Sequence, residues 1–248
     1  MDKIRLWNII NRDFKVALRL GTKYLQKINF LKNKIAMSKK IALFGASGQT
    51  GQQFLAKALA AGYHVKALVR NPASLTIQHQ NLEVVQGDVL QQADVNKVVE
   101  GTELVVSLFG HVKNSPEWLQ TNGTKHILSA MKAYKVGRII SLSGGGLPFP
   151  EKDEPKFADK LIRTIMKIAV PKVLNDAIEH HKVLVNSNLQ WTIVRAPRLT
   201  NDPAKGQYRV GWVGVNASTK ISRADLADFI VAQVEDRAFD FQMPFVSW

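Results

Sequence analysis

Three glycines spaced three residues apart, Gly45, Gly48 and Gly51, form the pattern in this chain best suited to chemistry. An apolar run at residues 41–44 precedes them, and apolar residues at helical spacing follow in residues 49–61. A strand, a tight glycine turn and a helix N-terminus together cradle a phosphate, because glycines let the backbone approach it and free amides donate to it. The pattern predicts a nucleotide site, and a glycine turn with a purely structural role is the alternative.

Arg70 identifies the expected nucleotide more closely. In NAD-binding chains an acidic residue about 20 positions after the glycines accepts the ribose hydroxyls. Here no Asp or Glu occurs between Gly51 and Glu83. Arg70 instead ends the apolar run at residues 64–69, where its guanidinium could pair with a 2′-phosphate. The sequence therefore favours NADP(H) over NAD(H), with a solvated arginine at a strand end as the alternative.

The elements that must position these residues alternate between strand and helix patterns. Strands are predicted at residues 41–44, 65–69, 82–85, 104–108, 138–142 and 191–194, and helices at residues 49–61, 93–99, 116–134, 175–187 and 222–234. This alternation predicts an α/β fold of the Rossmann type, a doubly wound parallel sheet with helices on both faces. The ligand should lie beyond the carboxyl ends of the strands. The residues expected to converge there are the glycine turn, Arg70, Asp88, Phe109, Gly110 and Ser143.

A single domain with a small cap is expected over residues 38–248, which are enough for one full core. Residues 144–173 make an excursion too long for an ordinary loop, which predicts a lid over the site. Residues 197–248 should supply the rest of the cap, as short strands and loops around the predicted helix at 222–234.

Composition excludes several classes of site. The 248 residues contain no cysteine, which excludes disulfides, thiolate metal sites and cysteine nucleophiles. The six histidines show no metal-ligand spacing, so no metal site is predicted. Most of the formal net charge of +14 lies in residues 1–40, where eleven Lys or Arg face two acidic residues; the other 208 residues hold 23 basic and 18 acidic side chains. The body is therefore mildly basic, which suits a phosphorylated ligand and not a nucleic acid.

The basic leader, residues 1–37, has three interpretations. Its apolar residues recur at helical spacing among lysines, as in an amphipathic helix on an anionic membrane. It could instead be an organelle transit peptide, or translation could begin at Met37. No apolar run approaches the roughly 20 residues that span a bilayer, so no stable insertion is expected, and any peripheral contact would involve residues 1–36. We expect a cytoplasmic monomer or homodimer whose partner is a small molecule.

Four motifs together resemble one known family. They are residues 45–51, the strand end at residues 68–70, Gly87-Asp88, and the stretch from Trp191 to Pro197. From about residue 40 onward the chain resembles the atypical short-chain dehydrogenase/reductases, in particular the NAD(P)H-binding group with biliverdin-IXβ reductase (a flavin reductase) and the NmrA-like proteins. The conventional members of that superfamily use NAD(P)H on a Rossmann fold.

The resemblance implies a role for each matching residue. The pyrophosphate would lie on Gly45, Ser47, Gly48, Gln49, Thr50 and Gly51. Arg70 would hold the 2′-phosphate, and Asp88 and Val89 would frame the adenine. Phe109 and Gly110 would border the ribose, Pro197 would lie near the nicotinamide, and Ser143 would be a further contact of the cofactor. Asp88 as a turn residue and Pro197 as a loop breaker are the alternatives.

The chain departs from conventional members at the catalytic residues. They carry Tyr-x-x-x-Lys on the helix before the sixth strand, but here Ile178 stands four residues before Lys182, and Gly144 stands where a second serine is common. Acid–base chemistry by a tyrosine is therefore not expected. The flavin reductase also carries His-Lys, so the candidate catalytic residues are His181, Lys182 and Ser143. A surface histidine pair is the alternative for His181.

These residues predict an NADPH-dependent oxidoreductase that transfers hydride to a flavin, a quinone or a similar conjugated acceptor. Such a ring delocalises the incoming charge, and solvent can supply the proton. The alternative is a non-catalytic NAD(P)-sensing regulator of the NmrA-like type, because the same missing tyrosine would suit it. An epimerase- or isomerase-like relative is less favoured, since sugar epimerases of this superfamily depend on that tyrosine.

Overall fold

Six parallel strands form the centre of one sheet. They are β1 (Lys40–Phe44), β2 (His64–Val69), β3 (Leu82–Gln86), β4 (Leu104–Ser107), β5 (Arg138–Gly144) and β6 (Gln190–Ala196). Their order in the sheet is β3-β2-β1-β4-β5-β6, so the direction of winding reverses between β1 and β4. In a doubly wound sheet the ligand crevice opens at that reversal. This computed structural model describes residues 39–248, and the predictions for the leader lie outside the described residues.

Helices cover both faces of the sheet. They are α1 (Gln49–Ala60), α2 (Gln92–Val99), α3 (Leu119–Ala133), α4 (Phe157–Ala169), α5 (Pro171–Val185) and α6 (Arg223–Ala232). On one face α1 packs against α6, where Phe54 and Ile230 are fully buried. On the other face α2, α3 and α5 enclose Ile127 and Leu184. This two-sided arrangement confirms the predicted α/β Rossmann-type fold.

The central strands are buried because their side chains are apolar on both faces. In β4, for example, Leu104 and Val106 point into the core on the α1 side, and Val105 points into the core on the α3 side. The alternation follows from strand geometry, in which successive side chains leave opposite faces. The uninterrupted apolar run in the sequence therefore identified a strand covered on both sides.

Residues 197–248 follow β6 in the chain and add two strands to this sheet. Strand β10 (Phe245–Ser247) pairs in parallel with β6, and β8 (Arg209–Gly211) pairs antiparallel with β10 at the edge. Strands β7 (Arg198–Thr200) and β9 (Lys220–Ser222) form a separate two-stranded parallel sheet. Part of the segment expected in the cap thus belongs to the main sheet. Within residues 39–248, no helix has both the length and the apolar character needed to cross a bilayer.

A buried ion pair fastens the segment after β5 to β6. Arg195 is completely buried, and its two terminal nitrogens donate to the carboxylate of Asp153 at 2.7 and 2.8 Å. The same carboxylate accepts the backbone N–H of Phe149 and of Val213, at 2.8 and 3.1 Å. Residues 147–153, the first part of the predicted lid, are therefore held to the body. The second part forms helix α4, which the sequence analysis did not predict.

Candidate functional site

The turn after β1 requires glycine at two positions. Gly45 has a φ of +87°, which disfavours any side chain, and a Cβ there would lie 2.5 Å from the backbone nitrogen of Phe109. A Cβ on Gly51 would collide with the carbonyl oxygen of Gly45. These two glycines therefore allow the turn to form and to pack against the chain that leaves β4.

Gly48 differs from them because a Cβ there would make a tight contact with one backbone atom and would not collide with it. The nearest protein atom to a Cβ there is the Gly45 carbonyl oxygen, at 3.3 Å. Gly48 is also the N-cap of α1, which has neither a side-chain cap nor an acidic residue in its first turn. The first-turn amides therefore have no intrahelical acceptor and sit at the positive end of the helix dipole. This cradle fits a pyrophosphate, and it consists of the predicted residues Gly45, Ser47, Gly48, Gln49, Thr50 and Gly51.

Arg70 lies on the same edge of the sheet as the glycine turn. Strands β1 and β2 are parallel neighbours with Phe44 level with Leu68, so Arg70 stands two residues beyond the end of β1. Its side chain is exposed and makes no ion pair within residues 39–248. An exposed guanidinium without a carboxylate partner fits a 2′-phosphate by charge and geometry.

The turns after β3 and β4 build an apolar wall beside the cradle. A Cβ on Gly123 of α3 would lie 2.8 Å from Cζ of Phe109 and 3.0 Å from Cγ2 of Val89, so these two side chains meet over that glycine. Asp88 takes part in the turn, because its Oδ1 accepts the backbone N–H of Leu90 at 2.9 Å. One carboxylate oxygen of Asp88 therefore has the role of a turn residue, which was the alternative interpretation. The wall formed by Val89 and Phe109 suits one face of an aromatic base.

On the other side of the winding reversal, β5 ends at open space. Ser143 is buried, and its hydroxyl has no hydrogen-bond partner among the described residues. A Cβ on Gly144 or Gly110 would meet nothing within 4 Å. Pro197 is half-buried directly after β6, two residues past Arg195, which is level with Ser143. A buried hydroxyl without a partner among the described residues is suited to a hydrogen bond with a ligand.

The other two candidate catalytic residues, His181 and Lys182, lie on α5, whereas Ser143 lies on β5. Lys182 is exposed and pairs with Glu179, one turn away, at 3.0 Å. His181 packs edge-on against Trp191, near the start of β6, with 5.7 Å between ring centroids, and burial lowers the pKa of its imidazole. No hydrogen bond within residues 39–248 joins either residue to Ser143. The structure does not bring the three together, and their catalytic roles stay predictions from the sequence.

His180, which the sequence analysis passed over, is the histidine that faces the sheet. It is fully buried, and its Nε2 lies 3.1 Å from Oγ of Ser141, which points to the same face of β5 as Ser143. Burial lowers the pKa of His180 to about 4, the nearby Asp176 opposes that shift, and His181 adds to it. The ring is therefore neutral at neutral pH.

Asp176 joins three elements beneath the strand ends. This fully buried carboxylate accepts the backbone N–H groups of Gln120 and Thr121, at 2.8 and 2.9 Å, and so caps α3. It also lies 2.6 Å from Nε2 of His111, in the loop after β4. Burial raises the pKa of Asp176, but the hydrogen bonds from Thr121, Gln120 and His111 outweigh this, so the pKa lies below its ordinary value. The result is a charged carboxylate that orients His111.

His111 and Asp176 were both missed from the sequence. One signal was available: Asp176 stands beside the apolar stripe of α5, next to the buried Ala177. A charged residue in such a position needs buried partners. The sequence gives no means of finding His111 as that partner, because the two are separated by 65 residues.

A family model described as NAD(P)H-binding matches residues 45–237. This range includes the glycine cradle, Arg70, the turns after β3 and β4, and the whole of α5. The chain belongs to this NAD(P)H-binding family. Membership confirms the predicted NAD(P)H-binding family and supports the predicted class of NAD(P)H-dependent oxidoreductase.

This NAD(P)H-binding protein is also similar to a curated relative and to solved structures. The uncharacterized protein YwnB of Bacillus subtilis is 26% identical over 210 residues, which cover 79% of this chain and 92% of YwnB. A short-chain dehydrogenase/reductase of Veillonella parvula, solved in complex with NADP, matches at a TM-score of 0.69 and 22% identity, covering 85% of this chain and 94% of that one. ChuY, an anaerobillin reductase from Escherichia coli, matches at a TM-score of 0.67 and 20% identity, covering 84% and 96%. These structures share the fold of this chain.

Proposed function

We propose that this protein is an NADPH-dependent oxidoreductase that transfers hydride to a flavin, a quinone or a similar conjugated acceptor. One observation carries the proposal. Where conventional short-chain dehydrogenases place a phenolic proton donor, Ile178 packs against the apolar core between the sheet and α3, and Lys182 is held at the surface by Glu179. An acceptor that delocalises the incoming charge needs no such donor, whereas an ordinary ketone or alcohol does.

NADPH is proposed in preference to NADH. The support is Arg70, exposed at the strand edge beside the cradle, and the NADP complex of the similar protein from Veillonella parvula. Bound there, the cofactor would supply the hydride. The residues proposed to hold it are those of the cradle together with Arg70, Asp88, Val89, Phe109, Gly110, Ser143 and Pro197.

The chain's own polar groups would orient the reactants. The unpaired hydroxyl of Ser143 is placed to donate or accept one hydrogen bond at the end of β5. Reduction by a hydride also consumes one proton, which solvent or His111 would deliver to the acceptor. His111 is suited to this because the carboxylate of Asp176, 2.6 Å from its Nε2, fixes the orientation of the ring. The related reductase ChuY supports a reductase role in general.

The test is turnover by the purified full chain. NADPH is mixed with FMN, a soluble quinone or, as a control, an aliphatic ketone, and the absorbance of the reduced nicotinamide is followed. We expect oxidation with the flavin or quinone and none with the ketone. His111→Ala should lower kcat without changing NADPH affinity. Tight binding of NADP and NADPH with equal affinity, and no turnover with any acceptor, would contradict the proposal and favour a non-catalytic sensor.

A further inference from the structure

Helix α4 presents an apolar face to solvent. Five of its large apolar side chains are exposed, and Phe157 and Ile168 are exposed by 83% and 78%. The others are Leu161, Ile162 and Ile165. At 3.6 residues per turn these positions fall on one side of the helix. No residue of α4 is fully buried.

The opposite side of α4 holds the helix to the body. Its partly covered residues are Asp159, Arg163 and Met166. The Met166 methyl group rests on Gly146, since a Cβ on that glycine would lie 2.6 Å from it. Arg163 lies 3.9 Å from the anchored carboxylate of Asp153. The helix is therefore fixed in orientation, and its apolar face points away from the domain.

This arrangement is the reverse of the pattern in a globular protein, where the apolar stripe of a helix faces the core. In α3, by contrast, Ile127 and Met131 are completely buried against the sheet. Single exposed apolar residues are ordinary, but a contiguous exposed set marks an interaction surface. The apolar face of α4 therefore needs a partner.

The charges around the face identify the kind of partner. Lys156, Lys160 and Lys167 follow one edge of the apolar face, and none of them makes an ion pair within residues 39–248. A second copy packed face to face in the antiparallel direction would bring these lysines together, and the leader carries nine basic residues against two acidic ones in positions 1–37. Both of those occupants would be repelled. An anionic surface would be attracted.

We propose that α4 docks on an anionic lipid surface, with its apolar face among the upper acyl chains and its lysines at the headgroups. A basic amphipathic helix with large apolar residues binds membranes in this way. Thirteen residues of helix span about 20 Å, well short of the roughly 30 Å hydrocarbon core, so the helix lies in the interface and does not cross it.

Docking through α4 would also place the acceptor side of the site near the lipid. Met166 rests on Gly146, three residues after Ser143 at the end of β5. This consequence rests on the proposed function: the acceptor would be an apolar conjugated ring dissolved in the membrane, of the quinone class. The docking itself stands without it.

The test is cosedimentation of the full chain with vesicles of phosphatidylcholine, with and without phosphatidylglycerol. We expect binding to the anionic vesicles only. The double variant Ile165→Ser, Ile168→Ser should partition at least about tenfold less, because it removes apolar area from the proposed contact. A matched control, Val84→Ser with Val185→Ser, alters two exposed apolar residues outside α4 and should bind like the unmodified chain.

Two further measurements test the integrity of the variants and the role of the lysines. NADPH titration of every variant shows that the fold and the cofactor site are intact, so failure of docking is separable from failure of the proposed function. Lys160→Gln with Lys167→Gln should weaken binding to anionic vesicles and reduce its dependence on salt. Unchanged vesicle binding by the Ile165, Ile168 variant would overturn the proposal. So would a dimer, seen by sedimentation velocity, that this variant dissociates.

Discussion

The two halves of the described chain use different means to build their sides of the site. In residues 39–136, the dinucleotide half, the buried polar side chains are neutral hydroxyls and one amide. In residues 137–248, the half proposed to face the acceptor and called the acceptor half, charged or titratable groups are buried. They are Arg138, Asp176, His180, Arg195 and Asp225. The first half forms its part of the site from backbone and glycines. The second half positions its part through contacts between buried charged or polar side chains.

The two halves also differ in the sequence separation between the residues that contact each other. The glycine cradle forms from neighbours within seven residues of sequence, around Gly45 and Gly51. In the acceptor half, Arg195 and Asp153 are 42 residues apart, and His180 and Ser141 are 39 apart. A locally encoded turn tolerates changes elsewhere in the fold, whereas a buried charge depends on every partner being in place.

The largest effect expected is in the acceptor half. Asp153→Ala should lower the free energy of unfolding by about 3–5 kcal/mol, because it leaves the charge of Arg195 buried without a partner. Urea unfolding followed by tryptophan fluorescence measures this. Lys182→Ala, which breaks an exposed pair with Glu179, is the control and should change stability by about 0.5 kcal/mol or less. A loss of unfolding free energy below about 1 kcal/mol in the Asp153 variant would show that the acceptor half does not depend on its buried ion pair.

The second effect is on the pH dependence of stability. Because the pKa of His180 falls to about 4 in the folded protein, the unfolded chain binds more protons between that value and its ordinary value near 6.5. The free energy of unfolding should therefore be highest above that window and fall by about 2–4 kcal/mol as pH is lowered through it.

His180→Gln isolates this contribution. The variant keeps a polar group near Ser141 but cannot titrate, so the fall in stability between neutral pH and about pH 4 should be smaller by the stated amount. His181, whose pKa is also lowered, contributes equally to both proteins. Parallel stability curves for the two proteins would show that His180 is not held neutral by burial.

The third effect is on cofactor selectivity and concerns the dinucleotide half. Arg70→Ala should weaken NADPH binding by about 1.5–3 kcal/mol and leave NADH binding nearly unchanged, because only NADPH carries the 2′-phosphate. Isothermal titration calorimetry with both cofactors measures the difference. Equal losses for the two would place the guanidinium away from the ribose. Stability should not change, since Arg70 is exposed.

The smallest effect separates the glycines of the cradle. Gly48→Val should lower the free energy of unfolding by about 1 kcal/mol or less, because one backbone atom of residues 39–248 beyond its chain neighbours, the Gly45 carbonyl oxygen at 3.3 Å, lies near its Cβ position. It should nevertheless weaken the binding of both NADP and NAD by at least about tenfold, because the valine side chain would fill the space for the pyrophosphate. Gly45→Ala is the matched contrast. Its φ of +87° and its contact with Phe109 make it destabilising without any ligand.

The dinucleotide half could be predicted closely because its signals are local. The helix after the glycine turn was predicted at residues 49–61 and is Gln49–Ala60, and the strand before it differs by one residue. Apolar runs, a glycine turn and helical periodicity are all properties of short windows of sequence.

The acceptor half could be predicted less well, because its site depends on distant partners. His180 and His181 are adjacent, and the sequence does not show which of them faces β5; the candidate chosen was His181, and His180 is the one at Ser141. The contact between His111 and Asp176 joins a loop to a helix. Helix α4 lies within residues 144–173, which the sequence predicts only as a lid because of their length; its apolar stripe faces solvent, whereas such a stripe usually faces a core.

The capping of α3 by Asp176 has a consequence for synthesis of the chain. Helix α3 begins after Trp118 without a side-chain cap of its own, and the carboxylate that receives its first amides arrives 56 residues later. During translation on the ribosome, the nascent dinucleotide half must therefore wait for α5 before the first turn of α3 is secured. Amide hydrogen exchange at Gln120 and Thr121 would record the moment at which the two halves join.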